Sequence, residues 1–131
     1  MAFSNIRTSA RNAQCNGFVD DIDVGTTDTG GDLQIRTAGG TTLLGECEFS
    51  NPAFGAAAGG VATANAISDD ASADATGTAA TIRIVDRDNA TVCDGTCTAT
   101  SGGGDLELNT VSITASDVIS ITSGTITAPA A

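Results

Sequence analysis

Histidine, lysine, tryptophan and tyrosine are all missing from this 131-residue chain, and it contains only two prolines and four phenylalanines. Without histidine there is no side chain that titrates unperturbed near neutral pH, and a nucleophilic cysteine would lack its usual base. Without Trp or Tyr there is no broad aromatic platform for a sugar ring. Carboxylate pairs do occur, but in Gly/Ala-rich stretches rather than in the setting of an acid/base pair. The chain is therefore expected not to be an enzyme. Positive charge is also scarce: Arg7, Arg11, Arg36, Arg83 and Arg87 face sixteen acids, for a formal charge of −11. Counterion release from phosphates needs a basic footprint, so nucleic acid is not an expected partner, and neither is an anionic membrane.

No apolar run reaches the length of a membrane span, and residues 1–20 lack the apolar centre of a signal peptide. Synthesis in the cytoplasm is expected, with the four cysteines starting as thiols. What is present is a chain of single-domain length, 40% apolar, filled mainly by Val, Ile, Leu and Ala. These side chains each bury less area than an aromatic ring, so a lone subunit would be only marginally stable. Self-association or a larger assembly would help it.

Residue use changes along the chain. Residues 4–22 read as the one helix, with Ser4 as N-cap and Ile6, Ala10, Ala13, Gly17, Phe18 and Ile22 recurring at three- and four-residue steps. Arg7 and Arg11 would share its solvated face, and Asp20, Asp21 and Asp23 would mark its exit. Residues 32–128 read as short strands separated by turns. Leu33 and Ile35 alternate with Gln34 and Arg36 ahead of Gly39–Gly40. Leu43, Gly45, Cys47 and Phe49 alternate with Leu44, Glu46 and Glu48. Residues 78–86 and 90–98 flank Asp88–Asn89 as a hairpin, and strands near 106–108, 111–113, 118–122 and 125–127 close the chain. The expected fold is mainly β, a single domain over 1–131: an antiparallel β-sandwich or jelly-roll with one N-terminal helix.

Several constellations bear on function. Cys93 and Cys97 share a strand face about 13 Å apart, too far to bridge each other. Two readings stay open: buried thiols packed as small hydrophobes, or a disulfide from Cys47 to Cys93 or Cys97. The spacing is not that of a metal knuckle. The clusters Asp20/Asp21/Asp23, Asp69/Asp70/Asp74 and Asp86/Asp88 do not match a helical calcium loop and read as solvated loop acids. Gly39–Gly40 and Gly102–Gly104 are turns, not phosphate loops. No cofactor or metal is expected. Surface contacts are the remaining candidates: Phe3, Ile6, Arg7, Arg11 and Arg36 could meet a neighbouring subunit, the arginines through charge-assisted bonds.

The order of blocks resembles a group of small bacteriophage virion structural proteins. The resemblance rests on the opening SNIRTSARNAQCNGFVDDID and the Gly-led GGDLQIRTAGG, on a central block from LLGECEFSNPAFGAAAGG through TIRIVDRDNATVCDGT, and on the ending TSGGGDLELNTVSITASDVISITSGTITAPA. It covers nearly the whole chain. Two departures are the cysteines at 47, 93 and 97, where such sequences usually carry aliphatic or aromatic residues, and the lack of lysine. The resemblance implies a capsid decoration, or cement, protein on the virion surface. Its expected partners are the major capsid protein and copies of itself, as a trimer over capsomer junctions. A tail or fibre-base component, with a receptor-binding face, is the alternative it implies.

Overall fold

The computed structural model describes residues 4–128. One helix, α1 (Thr8–Ile22), precedes nine strands: β1 (Asp32–Arg36), β2 (Leu43–Glu48), β3 (Val61–Thr63), β4 (Gly77–Thr78), β5 (Thr81–Val85), β6 (Thr91–Ala99), β7 (Leu106–Leu108), β8 (Ser112–Ile113) and β9 (Thr125–Thr127). The fold is mainly β with one N-terminal helix. Five strands make the main sheet, in the order β2-β1-β5-β6-β7. Its inner face carries Leu33, Ile35, Ile82, Ile84 and Cys97, and its outer face carries Gln34, Arg36, Arg83 and Asp94. The alternation of apolar and polar residues in β1 and β5 predicts this division directly.

The second layer is not a full sheet. It consists of the two-stranded ladders β3-β9 and β4-β8 and isolated bridges such as Phe49 with Ile67 and Asp70 with Ile119. Phe49, Phe54, Ile113, Ile119 and Ile121 come from this layer and join the inner face of the main sheet in one core. The Phe49 and Phe54 rings pack tilted, with centroids 5.7 Å apart.

The β5–β6 hairpin forms where the alternating pattern places it. Its loop closes by a bond from the Asp86 amide to the Ala90 carbonyl (2.9 Å). Asn89 adopts φ +64°, a left-handed conformation that Asn tolerates. Elsewhere the strand pattern misleads. Leu44 belongs by alternation on the outer face, yet it is fully buried. A register shift between Ile35 and Arg36 pairs Ile35 with Gly45 and Arg36 with Leu43, which leaves Leu44 as the extra residue of a β-bulge and turns it inward. Residues 118–122, read as a strand, contribute only the single bridge at Ile119.

One pairing is parallel: β7 runs alongside β6, with Cys97 opposite Leu106 and Ala99 opposite Leu108. A parallel neighbour ordinarily needs a crossover of a dozen residues or more. Here residues 100–105 suffice because only three residues of each strand overlap. The loop folds back flat on β6, and a Cβ on Gly102 would come within 2.6 Å of Thr98.

The helix begins at Thr8, not near Ser4, because Asn5 takes φ +55° and ends any continuous helical path there. Arg7 is the N-cap and offers no side-chain cap. The face turned inward also differs from expectation. Cys15, Val19 and Ile22 are buried, while Ala10, Ala13 and Gly17 are exposed. Asn12 and Asn16, one turn apart on the inward side, explain the rotation. Asn12 Oδ1 accepts the Gly60 amide (2.7 Å) and Asn16 Oδ1 accepts the Ala57 amide (2.8 Å). The Cys15 thiol donates to the Gly60 carbonyl (3.1 Å). The helix thus docks on β3, β9 and the loop before β3. Its last turn reaches the main sheet at Gly31, where an added Cβ would lie 2.5 Å from the Val85 carbonyl oxygen and 2.8 Å from Ile22.

These contacts set expected mutational costs. Asn12→Ala leaves the buried Gly60 amide without its acceptor and is expected to cost about 1–2 kcal/mol in urea unfolding. Exposed Ala13→Ser should change stability by less than about 0.5 kcal/mol. Gly31→Ala forces the helix end and β5 apart and should cost about 1–3 kcal/mol.

Candidate functional site

The residues singled out from the sequence do not converge. Phe3 lies outside the described residues. Ile6 is half-buried ahead of the helix and Arg7 is exposed at its N-terminus. Arg11, expected on the solvated face beside Arg7, is instead part-buried. Its guanidinium lies over Gly60 and donates through Nη2 to the Ala128 carbonyl (3.3 Å). It faces in because the Asn12/Cys15/Asn16 side of the helix does. Arg36 stands on the outer face of the main sheet, where Nε and Nη2 both donate to Gln34 Oε1 (3.0 and 2.7 Å) and Nη1 donates to the Gly40 carbonyl (3.2 Å). Two of the three candidate interface arginines are therefore engaged within their own subunit.

Of the two readings of the cysteines, the packed thiols hold and the disulfide from Cys47 to Cys93 or Cys97 is corrected. Cys47, Cys93 and Cys97 are free thiols, as is Cys15. Cys47 is opposite Leu33, Leu33 opposite Ile84, and Ile84 opposite Cys93, so β1 and β5 stand between the two sulfurs. Three strand spacings come to about 14 Å, twice the Cα separation a disulfide spans. Cys97 lies farther along β6 and does no better. Burial pushes the thiol pKa of Cys47, Cys93 and Cys97 up, so each holds its proton at neutral pH. Cys47 also donates to the Ile119 carbonyl (3.5 Å). Only Cys93 is half-exposed; the other three are buried.

Two sets of acids stand out, with Asp70 common to both. Asp23, Asp70, Asp86, Asp88, Asp105, Glu107 and Asp117 each accept at least one backbone N–H. Asp88 takes the amides of Thr26 and Thr27 and the Thr27 hydroxyl on one oxygen (2.8, 3.0 and 2.8 Å), which ties the loop after α1 to the β5–β6 turn. Those three bonds hold its pKa below the usual carboxylate value. Asp105 is lowered likewise by the Thr96 amide and hydroxyl. Asp94 is lowered by Arg83, whose Nε lies 2.7 Å from Asp94 Oδ1.

The second set forms the most distinctive surface feature. Asp28, Asp32, Glu46, Glu48, Asp69 and Asp70 line one half-open depression of about 370 Å³. Strand pairing assembles it, since Asp32 is opposite Glu48 and Gln34 is opposite Glu46. The 68–72 segment then adds Asp69 and Asp70, pinned by bonds from the Glu46 and Ser72 amides to Asp70 (2.9 and 3.0 Å). Asp32 feels the consequence: burial, then repulsion from Glu46, Glu48 and Asp28, raises its pKa to about 6. Among the described residues no group of three or more His, Cys, Asp or Glu is placed to hold a metal ion. The sequence shows Asp69 and Asp70 as one cluster but not their approach to β1 and β2, which is set by register and loop path.

An apolar cavity of about 390 Å³ lies between the inner face of the main sheet and residues 121–127. Leu33, Phe49, Ile82, Ile84, Leu106 and Ile126 line it, with Asp94 and Asp105 among the polar residues of its wall. No helix among the described residues is long and apolar enough to cross a membrane. The chain matches no protein-family model, no curated protein and no solved structure.

Two outcomes follow from these environments. Raising the Asp32 pKa from 3.8 to about 6 means the folded state binds its proton more tightly. The associated stability is complete below pH 3.8 and is lost as pH rises through about 6. Asp88, Asp94 and Asp105, with lowered values, act oppositely and lose their contribution as pH falls through the carboxylate range. Stability should peak in mildly acidic solution. Asp32→Asn should remove the decline toward neutral pH and, after solvent screening of a half-exposed group, stabilise by about 1 kcal/mol at pH 7. Urea titrations across pH 4–8 measure this, and an unchanged slope in the variant would refute it. Separately, a disulfide-exchange reagent followed by mass spectrometry should label Cys93 first, and Cys93→Ser should abolish the fast phase. An intrachain 47–93 disulfide after oxidation would contradict the register.

Proposed function

We propose that this chain is a bacteriophage virion structural protein, a capsid decoration or cement protein bound outside the shell of the major capsid protein. It acts without catalysis and without nucleic acid, as an oligomer expected to be trimeric. It is made in the host cytoplasm and resides on the capsid surface. The reading begins with the order of sequence blocks. The observation that carries it furthest is what the polar side chains do. Carboxylates bind loop amides, Asn12 and Asn16 bind the helix to its neighbouring loop, and the thiols of Cys47, Cys93 and Cys97 stay protonated. These side chains are spent on holding a small β-rich body in one shape.

Such a body works by adding buried surface across capsomer boundaries. The shell then loses that binding free energy before it can open. Repetition over the lattice multiplies individually weak contacts through effective concentration. A surface of charge −11 suits a partner face with exposed arginine and lysine.

Quantitative mass spectrometry of purified virions tests the proposal. About one-third to one copy per major capsid subunit is expected for a protein that follows the shell's symmetry. A ratio of about one in fifty or less would move the chain to the tail or fibre base. Absence from virions would overturn the virion role itself.

A further inference from the structure

We draw no further inference here: the strongest candidate, the half-open apolar cavity of about 390 Å³ between the inner face of the main sheet and residues 121–127, has its carboxylate Asp105 already bonded to Thr96, and nothing in the structure shows what covers it.

Discussion

An irregular second layer makes a hydrogen-bonding demand that shapes much of this molecule. A full sheet satisfies its own amides; two short ladders and a few bridges do not. A backbone N–H left without an acceptor away from water costs about 1–3 kcal/mol, so such a layer persists only if side chains supply acceptors. Asp70 shows the solution. One oxygen takes the Glu46 amide at the outer edge of β2, and the other takes the Ser72 amide of its own loop. Its backbone meanwhile exchanges bonds with Ile119 (2.9 Å each way). A single residue thereby closes a sheet edge, shapes a loop and anchors the second layer. Much of the acidity that reads as a solvated surface in the sequence is thus structural.

The same logic explains a helix with little reason to exist alone. Thr, Ser, Asn, Gly and Asp are mediocre or poor helix formers, and they fill much of α1. No side chain caps its start, and acids sit in its last turn, where the dipole disfavours them. Tertiary contacts compensate. Cys15, Val19 and Ile22 supply the apolar contact, and Asn12 and Asn16 take amides from the loop before β3. Polar residues on the buried side of a helix usually count against it. Here they fix its rotation, because only that orientation satisfies the Ala57 and Gly60 amides.

Functionally, these economies leave few reactive groups. Burial keeps the thiols of Cys47, Cys93 and Cys97 protonated, and many carboxylates are committed to amides or to Arg83. The exception is the depression around Asp32, where burial first, and then like charges gathered from four segments, raise a carboxyl pKa into the mildly acidic range. That desolvation, with the repulsion added to it, is a local cost carried by the fold at neutral pH. It accompanies a body whose role, as proposed, is to bind and brace rather than to transform a substrate.

The fold class was legible in the order of the amino acids. Its alternating runs require strands, Leu33/Ile35 and Ile82/Ile84 define one apolar sheet face, and the Asp88–Asn89 turn defines the hairpin. The presence of one helix ahead of the β body was legible too, since period and composition are local properties. Tertiary structure alone decided which way ambiguous residues turn and which distant ones meet. Leu44 points inward because of a bulge that only the β1 partner reveals. Arg11 turns inward because asparagines beside it bond a loop some forty-five residues away. Cys47 and Cys93 are kept apart by two intervening strands, and Asp32 meets Glu48 and Asp69 through register and loop path. Periodicity tells a residue which face of its own element it occupies. Strand order, bulges and side-chain-to-backbone bonds decide what that face touches, because they depend on groups far away in the chain.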